Sequence, residues 1–210
     1  MATLVVWGRA NSGNVQKVLW TCDELGLAYE RRDAGLRFGI VDTPEYRALN
    51  PNGRIPTLVD GDVVLWESNA IVRYLALAHG GVGTLYPEAP ADRARVERWL
   101  DWKLTTLLPA EQALFHGMIR TPPEARDHAA IEASIRASGR AWALLDAHLG
   151  ARDHVEGDRL TLADIVLGTF VHRWFGIEGI ARPNLPSLRR WYERLHERPG
   201  FRRHVAVPLT

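Results

Sequence analysis

The stretch NPNGRIPTLVDGDVVLWESNAIVRYLA, residues 50–76, decides the fold. Two short apolar runs, 55–59 and 63–66, stand on either side of Asp60-Gly61. Asp-Gly between two such runs is a strong turn signal, so the runs predict a β-hairpin. Directly after the second run, apolar residues recur at helical spacing, which predicts that a helix follows the hairpin.

Upstream segments complete a small α/β domain. Residues 3–7 form an apolar run rich in β-forming residues, which predicts a buried strand. Apolar residues at helical spacing from Val15 to Leu25 predict a helix, and a second strand is predicted at 28–32. With the hairpin and the helix after it, at 68–79, the predicted order is strand, helix, strand, loop, hairpin and helix.

The second half of the chain carries helical patterns alone. Residues 80–90, GGVGTLYPEAP, are rich in glycine and proline and predict a linker between two domains. Beyond them four segments have helical periodicity: residues 93–108, 124–149, 162–175 and 185–197. We therefore predict an α/β domain at 1–79 and an all-helical domain at 91–210, a fold class of α/β plus all-α.

Composition excludes several classes of function. The formal net charge of the 210 residues is only +1, so no strong field is expected to attract nucleic acid or anionic lipid. Cys22 is the single cysteine, which rules out an intramolecular disulfide and a CxxC redox pair. The eight histidines show no metal-binding spacing, so we expect no metal. No apolar run approaches the roughly 20 residues that span a bilayer, and we expect a cytoplasmic protein without membrane contact.

A family resemblance rests on the pattern N-P-x-G-x-[IV]-P, a hairpin, and E-S-x-A-I-x-x-Y-L, all of which stand in residues 50–75. In this pattern the chain resembles the cytosolic glutathione transferases. The resemblance extends over essentially the whole chain, strongest at 3–26 and 50–75 and weakest at 91–150. It implies a thioredoxin-like N-terminal domain followed by the helical domain, and a homodimer in which each thioredoxin-like domain packs on the partner's helical domain.

The same resemblance implies a detoxifying enzyme that uses glutathione as co-substrate. Its expected reaction transfers the glutathione thiolate to a small, apolar electrophile. Two alternatives use the same fold: a glutathione-dependent disulfide reductase or peroxidase, and a non-catalytic binding or scaffold protein. Retention of the glutathione-binding pattern argues against the scaffold alternative, although it does not establish turnover.

The predicted glutathione-binding residues are Arg54, Ile55, Pro56, Glu67 and Ser68. By resemblance the Ile55-Pro56 bond is cis, which would expose the backbone of Ile55 to pair with the cysteinyl unit like an added strand. At the start of a helix, Ser68 would hold the γ-glutamyl carboxylate and Glu67 would face the ammonium group of the same unit. Arg54 would lie near the glycyl end. The alternatives are a proline that starts a strand, a serine that only caps its helix, and a solvated arginine.

Thiol activation is predicted at Ser12 and Asn14, between the first strand and the first helix. A cysteine thiol has a pKa of about 8.5, and a hydroxyl or amide donor at the positive end of a helix lowers it by stabilising the thiolate. The surrounding GRANSGNVQKVLW resembles a bacterial serine-type branch of the family. The alternative is that either residue simply caps the helix. Cys22 falls on the apolar face of the helix and is expected in the core.

The electrophile pocket is predicted between the domains, with Trp102, Thr106, Phe115 and Trp174 as candidate lining residues. Aromatic residues at helical spacing are more commonly core, so that alternative stays open for them. Asp101, on the same helix as Trp102, is a candidate for reaching the ligand of the neighbouring subunit.

A structural motif stands in Leu160-Thr161-Leu162-Ala163-Asp164-Ile165. It has the form of an N-capping box with a hydrophobic staple, in which Thr161 caps, Asp164 reaches back and Leu160 meets Ile165. We expect this motif to start a helix and to have no role in catalysis.

Overall fold

A four-stranded sheet organises the first half of the chain in the computed structural model, which describes residues 4–210. The elements follow in the order β1 (Leu4–Trp7), α1 (Gly13–Glu24), β2 (Tyr29–Arg32), α2 (Pro44–Leu49), β3 (Thr57–Asp60), β4 (Val63–Trp66) and α3 (Ser68–Ala78). The strands lie in the order β2-β1-β3-β4, with β1 parallel to β2 and antiparallel to β3. This is the predicted thioredoxin-like arrangement. Residue 3 of the predicted first strand lies outside the described residues.

Helices make up the second half. They are α4 (Pro90–Trp102), α5 (Leu108–Phe115), α6 (His128–Leu149), α7 (Leu162–Gly176), α8 (Pro186–Leu195) and α9 (Pro199–His204). Short 3-10 turns lie at Leu36–Phe38 and Pro123–Ala125. In the part of the chain that the structure describes, no helix has both the length and the apolar character that crossing a membrane requires. The exact limits predicted for the domains and linker stay a prediction.

Helix α1 is buried on two sides, which places its N-terminus at the junction of the two halves. Val15, Val18 and Leu19 are buried in one continuous core with the sheet residues Val6 and Leu58. On its other side α1 packs against α7 and α9 of the helical half. The groups at the start of α1 therefore face the space between the sheet and the helical half.

Cys22 lies within this core, as predicted. Its side chain is fully buried, and burial, with the nearby Asp23 carboxylate, raises the pKa of the thiol to about 12. A thiol in that state is not a nucleophile at neutral pH, because the thiolate is the reactive form.

The predicted helix at 93–108 is longer in the structure and is not uniform. Helix α4 begins at Pro90, and a π-helical turn, Lys103–Leu107, joins it directly to α5. Pro109 is the second residue after that turn; it has no backbone N–H, so a regular α-helix would leave a carbonyl one turn earlier without its donor. A second π-helical turn, His116–Arg120, extends the helical run to residue 120.

Two further differences from the predicted helices are explained by local capping residues. Helix α6 begins at His128 and not at residue 124, because the Asp127 carboxylate accepts from the backbone N–H of Ala130 at 2.9 Å and fixes the start there. Helix α2 was not predicted, although Thr43 followed by Pro44 is a typical helix start and the Thr43 hydroxyl accepts from the backbone N–H of Tyr46.

Further boundaries differ by one or two residues, and one short helix was not separated. Strand β3 begins at Thr57 and not at residue 55, since the Ile-Pro pair forms a turn before the strand. Helix α8 ends at Leu195, and the short α9 after it was not distinguished from the predicted terminal helix and turn.

The predicted capping motif starts α7. The Asp164 carboxylate accepts from the backbone N–H of Thr161 at 2.9 Å and from its hydroxyl at 3.0 Å. Asp164 also accepts from the backbone N–H of Val155 and from Trp191 Nε1, each at 2.9 Å. The motif therefore ties together the start of α7, the preceding loop and α8, in addition to capping one helix.

Candidate active site

A cavity of about 480 Å³ opens between the N-terminus of α1, the turn before β3 and the helices α5 and α7. The first half of the chain contributes Arg9, Ser12, Asn14, Gly35, Leu36, Val41, Gly53, Arg54 and Ile55 to its wall, and the helical half contributes Leu108, Phe115, His116, Arg120, Phe170 and Arg173. Its volume is within the range of small-molecule sites, which runs from about 300 to 1,000 Å³. The cavity brings Ser12, Asn14, Arg54, Ile55 and Phe115 of the predicted site together.

Ser12 occupies the N-cap position of α1, but its hydroxyl makes no capping hydrogen bond. Its backbone carbonyl instead accepts from the N–H groups of Val15 and Gln16, each at 2.8 Å. A serine that served only as a cap would use its side-chain oxygen on one of the free N–H groups of the first turn. The hydroxyl is thus available to a ligand at the positive end of the helix.

Asn14 is held by a buried lysine. Lys103 Nζ donates to Asn14 Oδ1 at 3.5 Å and lies 4.1 Å from the ring centroid of Phe170. Burial, reinforced by the charge of Arg173, lowers the pKa of Lys103 to about 8. Because the amide oxygen of Asn14 faces Lys103, the amide nitrogen is the group left to donate into the cavity.

The Ile55-Pro56 peptide bond is cis, as predicted from the family pattern. Within residues 4–210 neither the backbone N–H nor the C=O of Ile55 has a hydrogen-bond partner. The carbonyl of the preceding Arg54 accepts from the Tyr46 hydroxyl at 2.7 Å and from Asn50 Nδ2 at 2.8 Å. These two bonds anchor the turn and leave the polar backbone groups of Ile55 for a ligand.

Glu67 and Ser68 form the N-terminus of α3, although with roles different from those of a simple serine cap. Glu67 is the N-cap residue, with a φ of 67° that is uncommon outside glycine, and Ser68 is the first helical residue. The first helical hydrogen bond runs from the N–H of Ile71 to the carbonyl of Glu67 at 2.9 Å. The preceding N–H groups of the turn are therefore open to an anion. Both residues lie outside the wall of the cavity around Ser12.

Three of the four predicted pocket residues lie outside this cavity. Trp102 packs edge-on against Trp99 with 5.4 Å between ring centroids, Thr106 is exposed to solvent, and Trp174 is buried in the core of the helical half. Successive side chains of an α-helix point about 100° apart, so the neighbour of a residue that faces the cavity points away from the cavity. At this point of α7 the residue that faces the cavity is Arg173.

Apart from Arg54, the arginines of the cavity wall were not predicted from the sequence; they are Arg9, Arg120 and Arg173. Arg173 touches the start of α1 so closely that a Cβ at Gly13 would lie 2.5 Å from its Nη2. Its guanidinium carbon lies 4.1 Å from the ring centroid of Phe115 and 4.8 Å from that of Phe170. The one signal in the sequence was an arginine within the predominantly apolar helix α7, LADIVLGTFVHRWFG.

Glu111 is a buried acid close enough to Arg173 to feel its charge. Glu111 is almost fully buried; its Oε1 accepts from Trp142 Nε1 at 2.9 Å, and its Oε2 has no partner among residues 4–210. Burial raises the pKa of Glu111 to about 8, against the opposing effect of Arg173. The carboxyl is therefore largely protonated at neutral pH and does not balance the positive charge of the wall.

The class of protein follows from this geometry: a thioredoxin-like domain joined to a helical domain, with a donor-lined cavity between them. Residues 2–77 match the family model described as "Glutathione S-transferase, N-terminal domain", and residues 101–199 match "Glutathione S-transferase, C-terminal domain". The chain belongs to the glutathione S-transferase family. These matches confirm the predicted family and fold class.

Individual relatives cover the chain from end to end. Glutathione S-transferase GstB of Escherichia coli strain K12 is 45% identical over 209 residues, covering 99% of this chain and 100% of GstB. Glutathione S-transferase 3 of Zea mays is 34% identical, covering 100% of this chain and 96% of the maize protein. The crystal structure of a theta class glutathione S-transferase from Xanthomonas axonopodis pv. citri with glutathione bound superposes with a TM-score of 0.95 at 49% identity, with 100% of both chains covered. The predicted general function, glutathione transferase, is thereby confirmed.

Proposed function

We propose that the protein joins the sulfur of glutathione to a small electrophile held in the cavity beside Ser12. The observation that carries this proposal is the N-cap hydroxyl of Ser12, which makes no capping bond and borders the same cavity as the unpaired backbone of Ile55. The Xanthomonas relative was crystallised with glutathione, which supports the same co-substrate here. Glutathione enters as a co-substrate, and no metal is part of the proposal.

Glutathione is expected to bind along the edge of the sheet. Its cysteinyl unit pairs with the backbone N–H and C=O of Ile55 in the manner of an added strand, in the turn that the Ile55-Pro56 bond forms. Its γ-glutamyl carboxylate meets the open N–H groups and hydroxyl of Ser68, while Glu67 faces the ammonium group. Arg54, at the cavity wall, is assigned to the glycyl end.

The chemistry needs a stabilised thiolate and no general base. Ser12 donates its hydroxyl hydrogen to the sulfur, and the amide nitrogen of Asn14 provides a second donor. Each unit by which these groups lower the pKa of the glutathione thiol corresponds to about 1.4 kcal/mol of preference for the thiolate. On this donor set we propose that the protein belongs to the serine-type branch of the family. The acceptor occupies the part of the cavity that Leu108, Phe115 and Phe170 line.

Replacing Ser12 or Asn14 by alanine tests this assignment. We expect Ser12→Ala to raise the pKa of bound glutathione by about 1–2 units, because a hydrogen bond to a charged group is worth roughly 1.5–3 kcal/mol. Asn14→Ala is expected to have the smaller effect of the two. The thiolate absorbance of the glutathione complex, titrated against pH, gives these values directly.

Thr105→Ala serves as the matched control, because it removes an exposed hydroxyl outside the cavity. It should leave the titration unchanged. Calorimetry that detects no glutathione binding to the wild type would contradict the whole proposal. An unchanged thiol pKa in both site variants would contradict only the assignment of Ser12 and Asn14.

We further propose that the protein is a cytoplasmic homodimer with a role in detoxification. Strand β4 is an edge strand of the sheet, and its Val63, Val64 and Trp66 are exposed, as is Leu77 on α3. Exposed apolar side chains on an edge strand favour association with another chain. Asp101 remains a candidate for reaching the neighbouring ligand; its side chain is exposed and pairs with Arg73 at 3.3 Å.

A further inference from the structure

Guanidinium groups concentrate in the acceptor side of the cavity without acidic partners. Arg9, Arg120 and Arg173 all line the wall, and among residues 4–210 none of them forms an ion pair with an acid. The only polar side-chain contact that the structure gives any of the three runs from Arg120 Nη1 to His116 Nε2 at 3.4 Å. The planar fork of a guanidinium matches the geometry of a carboxylate or phosphate, so this cluster is suited to bind an anion.

The position of Arg173 strengthens this point. Its guanidinium abuts Gly13 at the N-terminus of α1, which carries a partial positive charge of about half a unit. Two positive groups therefore lie side by side in the wall of the cavity. Phe115 and Phe170 hold the guanidinium from behind through their ring faces, and Glu111 is mostly protonated. An anion bound in the cavity would relieve this repulsion.

Glutathione alone does not account for all of this charge. Its two carboxylates are assigned to the N-terminus of α3 and to the region of Arg54, both in the first half of the chain. Arg120 and Arg173 line the cavity from the helical half, whereas Ile55 lines it from the first half. The thiolate provides one negative charge near Gly13, and it leaves Arg120, at the outer end of the helical run, without a counter-charge.

Resting on the proposed function, we propose that the acceptor substrate is an anionic electrophile whose carboxylate is held by Arg120 and Arg173. The reacting carbon then points to Ser12, and the apolar part of the substrate lies against Phe115. The predicted electrophile was simply apolar; this proposal keeps the apolar part and adds a negative charge. The selectivity comes from groups of the helical half, since none of the sheet residues assigned to glutathione takes part in it.

An aryl chloride illustrates the bond changes. The thiolate sulfur forms a bond to the ring carbon that bears chlorine, and the carbon–chlorine bond breaks with its electron pair to release chloride. The thiol proton has already gone to solvent when the thiolate forms. Neither an oxidant nor a reductant is required.

A matched pair of acceptors tests the proposal: 4-chloro-3-nitrobenzoate, which is anionic, and 4-chloro-3-nitrobenzamide, which has nearly the same shape and no charge. Rates of conjugation, each divided by the uncatalysed rate with glutathione, give a preference ratio for wild type. We expect kcat/KM to favour the benzoate by about tenfold, the size of effect that one charge-assisted hydrogen bond produces. In Arg120→Gln and Arg173→Gln the ratio should fall to roughly twofold or less.

Arg140→Gln is the control for net charge, because Arg140 is an exposed arginine of α6 outside the cavity. It should keep the wild-type preference. Calorimetry with the two purified products, the S-(4-carboxy-2-nitrophenyl) and S-(4-carbamoyl-2-nitrophenyl) derivatives of glutathione, measures the same preference by binding alone. It should also show the loss in Arg120→Gln, whose exposed side chain is not required for folding.

The outcomes separate this proposal from the one on which it rests. Conjugation of uncharged 1-chloro-2,4-dinitrobenzene, together with equal rates and equal product affinities for the carboxylate and amide pair, would overturn the anionic acceptor and leave the transferase activity intact. A preference that survives in both Arg120→Gln and Arg173→Gln would also overturn it. Absence of any conjugation and of any binding of glutathione or its derivatives would overturn the proposed function, and the anionic acceptor with it.

Discussion

At the scale of single residues, the site residues that stand in short contiguous motifs could be predicted from the sequence. Ser12, Ile55 and Ser68 each stand in a short contiguous motif, and the structure places an unused hydroxyl, unpaired backbone groups and open helix N–H groups at those positions. Arg173 was missed in favour of its neighbour Trp174. Which of two adjacent helical residues faces a cavity depends on how the whole helix is rotated in its packing, and a single sequence does not fix that rotation.

Glu111 provides a prediction about pH. Its pKa is raised to about 8 in the folded protein, mainly by burial, whereas an unfolded glutamate ionises near pH 4.3. Folding therefore favours the protonated form, and this contribution to stability is present below about pH 4 and lost as the pH rises towards 8. We expect Glu111→Gln to remove that loss and to raise the free energy of unfolding at pH 8 by roughly 2–4 kcal/mol relative to wild type.

Urea unfolding of both proteins at pH 5 and pH 8 measures this difference. The glutamine keeps an oxygen that accepts from Trp142 Nε1, so the substitution changes charge more than shape. Glu132→Gln, at an exposed position of α6, is the matched control and should shift neither curve. If the free energy of unfolding changed by the same amount from pH 5 to pH 8 in wild type and in Glu111→Gln, the prediction would be wrong.

At the scale of elements, the predictions succeeded where one local signal dominates. The Asp60-Gly61 turn and the apolar runs beside it placed the hairpin, and Thr161 with Asp164 placed the start of α7. The run from residue 90 to residue 120 was predicted as a single shorter helix, because Pro109 reads as a helix end in isolation. In the folded protein two π-helical turns accommodate the change in register, and packing against α6 keeps the run continuous.

The start of α7 gives a prediction about stability. Asp164 is fully buried and accepts hydrogen bonds from Thr161, Val155 and Trp191. Asp164→Ala leaves these donors buried without partners, so we expect it to lower the free energy of unfolding by roughly 3 kcal/mol. Thr161→Ala should cost about 1 kcal/mol, as loss of a single cap does.

Asp158 provides the comparison for this pair of substitutions. It is an exposed acid in the same loop, and Asp158→Ala should change the free energy of unfolding by no more than about 0.5 kcal/mol. Chemical denaturation of the three variants under one set of conditions gives the ranking. Equal effects of Asp164→Ala and Asp158→Ala would show that the buried hydrogen bonds contribute little.

At the scale of the whole molecule, the two halves meet along a polar connection that the sequence analysis did not foresee. Lys17 of α1 donates to Asn69 Oδ1 of α3, and Asn69 Nδ2 donates to the carbonyl of Leu100 in α4 at 2.9 Å. The order of elements and the change from a mixed to an all-helical half were predictable from periodicity. The contacts between halves were not, because they join residues far apart in the sequence through their tertiary arrangement.

The proposed homodimer makes a prediction at this scale. A negative charge on the exposed apolar side chains of β4 and α3 should oppose burial against another chain. We expect Val64→Glu and Leu77→Glu to convert a wild-type dimer to a monomer, as measured by analytical ultracentrifugation. Leu144→Glu should leave the dimer intact, since Leu144 is similarly exposed but lies on α6. A monomeric wild type, or a dimer that survives both substitutions, would contradict this use of the surface.

The burial of Lys17 and Lys103 has a practical consequence. They are the only lysines in the chain, and both side chains are inaccessible to solvent, so arginine alone supplies the cationic side chains of the surface at neutral pH apart from histidine. Reagents that acylate side-chain amines, such as succinimidyl esters, find no lysine to modify while the fold is intact. Dyes, supports or cross-linkers that target lysine would therefore react with Lys17 and Lys103 only in molecules whose two halves have separated.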